Sequence, residues 1–175
     1  MGRKMITKKI VLIGDFSTGK TSLIRKYVDN QFSDEYLTTI GVKISKKIVN
    51  LSTTNDVQLL IWDIEGNTDV KAMNPAYIMG ANGIIIVADS TREKSIDNIK
   101  DHLQTCSKLL KKVPIIIALN KSDLLNDDFI MEQLLTNLKN LYSEIDFIYP
   151  TSAKNGRNVE LIFTNLAQSM LEISR

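Results

Sequence analysis

The sequence predicts an α/β fold in which a mostly parallel sheet is covered by helices. Two observations predict it. Near-continuous runs of β-branched residues and leucine recur along the chain, and segments with apolar residues at helical spacing lie between them. Such runs are typical of strands that are buried on both faces. Because the chain has 175 residues, we expect a single domain that spans residues 1–175.

Six segments are predicted to be strands. The buried runs are "KIVLIG", "VQLLIWDI", "GIIIVAD" and "VPIIIALN". A fifth segment, "VKISKKIVNL", alternates Val42, Ile44 and Ile48 with lysine and serine, which is typical of an exposed edge strand. The short run "FIYP" predicts a sixth strand near the end of the chain.

Two apolar stripes at helical spacing predict helices between the strands. Their members are Ile96, Ile99, Leu103, Cys106 and Leu110 in the first, and Val159, Ile162, Phe163, Leu166 and Met170 in the second. Since Cys106 lies on a stripe, we expect a core thiol, with a reactive thiol as the alternative. His102, the only histidine, lies off the stripe, and we expect it to be exposed to solvent.

The composition favours a soluble protein of a reducing compartment. The net charge is +2 without a long basic block, so nucleic acid is not an expected partner. One cysteine allows no internal disulfide, and no apolar run reaches the length of a membrane span. We expect a cytoplasmic monomer that reaches membranes only if a lipidated tail is missing from this sequence. The basic residues Arg3, Lys4, Lys8 and Lys9 either touch anionic lipid or are simply solvated.

A phosphate-binding loop follows the first strand. "GDFSTGKTS" satisfies G-x-x-x-x-G-K-[ST] with Gly14, Gly19, Lys20 and Thr21. Backbone N–H groups at a helix N-terminus favour bound phosphate, Lys20 neutralises its charge, and the Thr21 hydroxyl can bind Mg²⁺. The alternative is a glycine turn with a helix cap. The residues expected around the phosphates are Phe16, Ser17, Thr18, Gly19, Lys20, Thr21 and Ser22.

A second motif favours guanine as the base. In "NKSD", the Asp123 carboxylate can accept from both N1–H and the exocyclic amine of guanine, an arrangement that adenine does not offer. Asn120 can fasten the strand end, and the stem of Lys121 can cover a face of the ring. The loop "TSAKNG" offers a backbone N–H to the guanine carbonyl, from the segment that holds Ser152, Ala153 and Lys154.

Taken together, these motifs resemble those of a Ras-superfamily small GTPase over nearly the whole chain. The motifs are "GDFSTGKTS", "TTIG", "WDIEG", "NKSD" and "TSAK", and "TIGV" with "EKSIDNIK" is most similar to the Rab branch. The resemblance implies a doubly wound, mostly parallel six-stranded sheet with five helices, the small G-domain form of the P-loop NTPase architecture. It also implies a switch that cycles between GTP and GDP with Mg²⁺ and docks effector and regulator proteins through its switch regions.

The resemblance assigns further roles residue by residue. Phe32 would stack beside the guanine, with a core position as the alternative, and Tyr36 would close over the phosphates. Thr39 would bind Mg²⁺ and the γ-phosphate, Asp63 would hold Mg²⁺ through water, and the N–H of Gly66 would sense the γ-phosphate. The implied metal ligands are therefore Thr21, Thr39 and Asp63.

Three positions depart from the catalytic pattern of that family. Asn67 stands in place of the glutamine that positions water, Glu65 in place of an alanine, and Phe16 in place of a small residue. The candidate catalytic residues are Asn67, Glu65 and Lys20. Glu65 either repels phosphate, replaces the missing glutamine, or points outward to a cation such as Lys71. The leading hypothesis is a slow GTPase switch. A GTP-loaded binding scaffold is the competitor, and a P-loop ATP kinase is a distant third.

Overall fold

The structure, a computed structural model, describes residues 4–33, 39–51, 55–66, 74–125, 127–145 and 147–172. The expectations for Tyr36, Asn67 and Lys71 lie outside these residues. In chain order the elements are β1 (Lys4–Ile13), α1 (Lys20–Asp29), β2 (Val42–Asn50), β3 (Asn55–Ile64), α2 (Pro75–Ile78), β4 (Gly83–Asp89), α3 (Glu93–Asp97), α4 (Ile99–Leu109), β5 (Ile115–Asn120), a 3₁₀ turn (Ser122–Leu124), α5 (Asp128–Leu141), β6 (Phe147–Pro150) and α6 (Val159–Glu172). Only Asn98 separates α3 from α4, so the described residues form five helical segments, as predicted.

The six strands form one sheet in the order β2-β3-β1-β4-β5-β6. Every neighbouring pair is parallel except β2 and β3, which run antiparallel from Val42 opposite Ile64 to Asn50 opposite Asp56. The predicted edge position of β2 is confirmed. On its outer face Ile44 and Ile48 are about half exposed, whereas Val49 is buried on the other face.

Alternate residues of the central strands supply two separate cores. On one face, Ile10 and Leu12 of β1 pack in a core with α1 and α6. On the other face, Val11 and Ile13 pack in a core with residues of α2, α4 and α5. The prediction of strands buried on both faces is therefore confirmed, and all seven residues of β4 are buried.

The two expectations for α4 have opposite outcomes. Cys106 is buried in the second core, and burial raises the pKa of its thiol to about 12, so the core interpretation is confirmed. The expectation for His102 is wrong, because its side chain is only 1% exposed. Its ring nitrogen Nε2 lies 3.0 Å from a carboxylate oxygen of Asp15, and this polar partner makes burial of the ring tolerable.

The parallel strands place the motif loops at one edge of the sheet. Strands β1, β3, β4, β5 and β6 are mutually parallel, so their carboxyl ends lie together, and ligands of open α/β sheets bind at that edge. Among the described helices, none has both the length and the hydropathy needed to cross a bilayer.

Candidate nucleotide-binding site

A cavity of about 270 Å³ opens at the carboxyl edge of the sheet. Fourteen of the residues predicted from the motifs line it: Phe16, Ser17, Gly19, Lys20, Thr21, Ser22, Phe32, Thr39, Gly66, Asn120, Lys121, Asp123, Ala153 and Lys154. The sequence analysis missed four further lining residues: Arg25, Gln31, Ser33 and Leu124. Only their nearness to the motifs could have indicated them. Thr18, Ser152 and Asp63 are buried and do not line the cavity.

The two glycines of the phosphate loop are required by close contacts. A Cβ atom on Gly14 would lie 2.1 Å from the carbonyl oxygen of Val87, and Gly14 has a φ of +149°. Gly19 has a φ of +93°, and a Cβ atom on Gly19 would lie 2.3 Å from Nδ2 of Asn120. Both positions therefore exclude a side chain. The spacing of the motif brings the loop against β4 and β5 at a distance that only glycine permits.

Lys20 is the buried cation of the phosphate loop. Its Nζ donates to the carbonyl oxygens of Gly14, at 2.8 Å, and of Asp15, at 2.9 Å. Burial lowers the pKa of Lys20 to about 8, although the charges of Asp63 and Asp15 oppose that change. Gly66 lies against the same group, since a Cβ atom on it would be 2.6 Å from Nζ. The two predicted phosphate contacts, Lys20 and Gly66, are thus adjacent.

Three oxygen-bearing side chains converge next to Lys20. The Thr21 hydroxyl donates to Oδ2 of Asp63 at 2.6 Å and lies 2.6 Å from the Thr39 hydroxyl. Oδ1 of Asp63 is buried without a hydrogen-bond partner in the described part of the chain. Burial raises the pKa of Asp63, while the bond from Thr21 and the charge of Lys20 lower it. These oxygens and the unpartnered carboxylate atom suit Mg²⁺, which prefers oxygen ligands.

Asn120 joins three loops at the other end of the cavity. Its Nδ2 donates to the carbonyl oxygen of Thr18 at 2.9 Å. Its Oδ1 accepts from the Thr151 hydroxyl at 3.4 Å and from the N–H of Ala153 at 3.3 Å. The predicted fastening role of Asn120 therefore has a defined geometry. It positions the phosphate loop, the "NKSD" loop and the "TSAK" loop relative to one another.

A second connection, which the motifs did not indicate, runs through Asp89. Its Oδ2 accepts from Nζ of Lys121 at 2.7 Å and from Nε of Arg92 at 2.9 Å. Arg92 also donates through Nη2 to the carbonyl oxygen of Phe16 at 2.8 Å. Burial disfavours the charge of Asp89, but hydrogen bonds from Lys121 and Thr91 hold its pKa below the ordinary value. An ionised carboxylate therefore fixes Lys121 beside the cavity.

Glu65 makes a contact that none of the three sequence-based interpretations described. Its N–H donates to the carbonyl oxygen of Gly41 at 2.9 Å, and its own Oε2 accepts from the N–H of Gly41 at 3.2 Å. This reciprocal pair continues the β2–β3 ladder by one step beyond Val42 and Ile64. Glu65 thus connects the segment after Asp63 to the segment after Thr39.

Two aromatic side chains lie at the mouth of the cavity. Phe32 is 37% exposed and Phe16 is 43% exposed, and both line the cavity. Phe32 therefore belongs to neither hydrophobic core, so the alternative that placed it in the core is wrong. Phe16 stands one residue after Asp15, and its Cα would lie 2.8 Å from a Cβ atom on Gly66. The backbone of Phe16 therefore lies close to the predicted γ-phosphate contact Gly66, and the residue lines the same cavity.

The fold and this site define a P-loop nucleotide-binding protein, because a phosphate loop follows a central parallel strand beside an Asn-Lys-x-Asp loop. The model of the Ras family matches residues 9–172, so the chain belongs to the Ras family of small GTPases, as its motifs predicted. Its relatives make it a Rab-like member.

Three relatives illustrate the similarity. The chain is 34% identical to Ras-related protein Rab-1D of Dictyostelium discoideum over 93% of this chain and 78% of the relative. It is 35% identical to Ras-related protein Rab-1 of Theileria annulata, over 93% of this chain and 73% of the relative. It is 32% identical to Ras-related protein Rab-21 of Mus musculus, over 95% of this chain and 74% of the relative.

Proposed function

We propose that this small GTPase is a regulatory switch of the vesicle-traffic type, which binds GTP and GDP with Mg²⁺ and hydrolyses GTP slowly. One observation carries the proposal. A single cavity is lined by the phosphate-loop residue Lys20, the hydroxyls of Thr21 and Thr39, and the carboxylate of Asp123. A cytoplasmic location, peripheral to membranes, belongs to the same proposal.

The base end of the cavity supports selectivity for guanine. Asp123 is partly buried and lines the cavity, and Asn120 holds the loops on either side of it. A purine seated there would lie between Phe32 and the stem of Lys121. An adenine base would leave the Asp123 carboxylate without its pair of donors, and an unpaired buried charge is costly.

The phosphate end supports a magnesium-bound polyphosphate. Lys20 is already surrounded by carbonyl acceptors, so phosphate oxygens would give this buried ammonium a stronger, charge-assisted partner. Thr21, Thr39 and Asp63 would hold Mg²⁺, which when bound neutralises phosphate charge. Thr39 and Gly66 belong to two different loops that meet at this point. A terminal phosphate that contacts both residues would therefore couple the two loops.

The surface beside these loops is suited to nucleotide-dependent partners. Ile40 is 87% exposed, and Ile44 and Ile48 are about half exposed along the edge strand that follows it. Trp62, next to Ile44 in the register of β3, is partly buried, and Nζ of Lys9 lies 3.8 Å from its ring centroid. An exposed apolar strip that begins at Ile40, directly after Thr39, suits effector and regulator proteins that distinguish the two nucleotide states.

A second candidate is a GTP-loaded binding scaffold with little hydrolysis. Phe16 favours it, because this bulky residue lines the cavity and its Cα lies next to Gly66, where an incoming catalytic group would need room. Single-turnover hydrolysis by the purified protein separates the scaffold from the slow switch.

The test of the proposed function is the base selectivity of Asp123. We expect Asp123→Asn to weaken GDP binding by about a hundredfold or more and to admit xanthosine diphosphate, because the new amide can donate to the added carbonyl. Competition against a fluorescent GDP analogue measures the affinities for GDP and for xanthosine diphosphate. Asp128→Asn is the matched control, since this exposed carboxylate lies outside the cavity. Equal affinity of the unmodified protein for ATP and GTP would contradict the proposal.

A further inference from the structure

A buried polar cluster lies behind the phosphate loop. Asp15, which is 2% exposed, places its carboxylate against helix α4. Oδ1 of Asp15 lies 3.0 Å from Nε2 of His102, and Oδ2 accepts from Nδ2 of Asn98 at 2.8 Å. Asn98 and His102 are four residues apart, which is about one helical turn, so both face the same side. Both oxygens of one carboxylate are therefore held by α4, one by its N-cap residue Asn98 and the other by His102.

The backbone of the same aspartate holds the phosphate loop. Its carbonyl oxygen accepts from Nζ of Lys20 at 2.9 Å and from the hydroxyl of Thr18 at 3.0 Å. Lys20 and Thr18 are the loop residues on either side of Gly19. A shift of Asp15 would therefore move the acceptor that sets the direction of the Lys20 ammonium group.

The proton on the His102 ring is assigned from the partners of its two nitrogens. A carboxylate oxygen accepts hydrogen bonds, so we assign the proton to Nε2, the nitrogen that faces Asp15. Nδ1 is buried without a partner among the described residues, as expected for the unprotonated nitrogen of a neutral ring. His102 is thus a neutral, directional donor to Asp15.

We propose that His102 is a positioning residue for nucleotide binding, which acts with Asn98 through Asp15 to fix the carbonyl that orients Lys20. The role rests on the proposed nucleotide-binding function, because Lys20 is oriented toward the phosphate end of that cavity. Although no residue of α4 lines the cavity, this role lets α4 influence how long the nucleotide stays bound.

The experiment measures the dissociation rate of a fluorescent GDP analogue from the full chain in the presence of Mg²⁺. His102→Phe keeps the volume but removes the donor, so we expect dissociation about tenfold faster, the factor that one hydrogen bond to a charged group can supply. His102→Gln can donate to Asp15 and should restore most of the effect. Cys106→Ala is the control, since Cys106 is buried on the same helix in the second core. It should lower the melting temperature and leave dissociation unchanged.

A double-mutant cycle separates positioning from general destabilisation. In an Asp15→Ala background, His102→Phe should have no further effect on dissociation, because the group through which it acts is gone. Should His102→Phe fail to fold, Asn98→Ala takes its place, with a smaller acceleration expected.

The outcomes are distinct. If dissociation is unchanged in His102→Phe, or if its effect is equal in both backgrounds, the positioning role is wrong. If the unmodified protein does not bind the GDP analogue at all, the proposed function fails, and the positioning role falls with it.

Discussion

At the scale of single residues, His102 is neutral for a physical reason that its sequence position conceals. Burial lowers the pKa of its ring, while the hydrogen bond and charge of Asp15 raise it. Of the other charged groups that act on the ring, Lys20 on α1 lowers the pKa and Asp101 on its own helix raises it. The net result is a pKa of His102 below the ordinary value. The folded protein therefore resists protonation of His102 more than the unfolded chain does.

This direction predicts that acid destabilises the fold through His102. Because the pKa of His102 in the folded protein lies below the ordinary value of about 6.5, the stability that its neutral ring contributes is fully present above about pH 6.5. That stability is lost as the pH falls through the pKa of the folded state. We expect the free energy of unfolding to fall more steeply with acidification in the unmodified protein than in His102→Gln, by at most about 1.4 kcal/mol per pH unit. Urea unfolding at about pH 7.5 and about pH 5.5 measures it.

His102 is the only histidine of the sequence, which makes the comparison specific. Carboxylates such as Asp89 also lose stabilising charge as the pH falls, but they do so equally in both proteins. A difference between the two proteins that stayed the same at both pH values would rule out titration of His102.

At the scale of elements, α1 and α6 pack together through one aromatic pair. The rings of Tyr27 and Phe163 are stacked with centroids 4.0 Å apart and planes 5° apart. Phe163 is fully buried in the core that also contains Ile10 and Leu12 of β1. Since α1 begins at the phosphate loop, this pair fixes the helix whose N-terminus faces the cavity.

We predict that Phe163→Ala lowers the free energy of unfolding by about 3–5 kcal/mol, because it leaves a cavity and removes the stacked partner of Tyr27. Chemical denaturation measures the change. Leu161→Ala on the same helix is the control, since Leu161 is 39% exposed and should cost about 1 kcal/mol or less. A similar loss for both variants would mean that the aromatic pair has no special part in the packing of α6.

At the scale of the whole molecule, the sheet brings distant motifs to one edge. Asn120 donates a hydrogen bond to a residue 102 positions away along the chain and accepts one from a residue 33 positions away. Glu65 and Gly41 are likewise joined across two segments of the cavity wall. We therefore expect the rate of GTP hydrolysis to depend on how these loops approach the γ-phosphate rather than on any one motif.

We predict slow hydrolysis of GTP, on the order of 10⁻⁴ s⁻¹, the order known for Ras itself. Because the bulky Phe16 lines the cavity beside Gly66, Asn67→Gln alone should change the rate little, whereas Phe16→Gly with Asn67→Gln should raise it more. Single-turnover hydrolysis of bound GTP is the measurement. Phe129→Gly is the control, because this exposed aromatic residue on α5 lies outside the cavity.

Glu65→Ala tests the contact with Gly41 in the same assay. Slower hydrolysis would show that Glu65 assists the reaction, either by positioning water or by holding the loop that carries Thr39. Tighter GTP binding at an unchanged rate would instead show that its charge repels phosphate. Rapid hydrolysis by the unmodified protein that survives both Glu65→Ala and Asn67→Ala would place the catalytic group elsewhere.

The sequence by itself determined the fold class, the order of the motifs and the family. Local patterns suffice for these because a strand buried on both faces must be apolar throughout, and a phosphate loop needs its glycines, lysine and hydroxyl at fixed spacing. The prediction for Cys106 also succeeded, since helical periodicity specifies which side chains face the core.

Only the tertiary structure decided how His102, Asp89 and Glu65 are used. Helical periodicity placed His102 off the apolar stripe. It could not show that the buried carboxylate of Asp15, 87 residues earlier in the chain, packs against that face of α4 and accepts a hydrogen bond from the ring. Asp89 and Glu65 likewise find their partners on other segments. A polar side chain is stabilised inside a protein by the particular donor or acceptor opposite it, and that partner is set by how the elements pack rather than by neighbours in sequence.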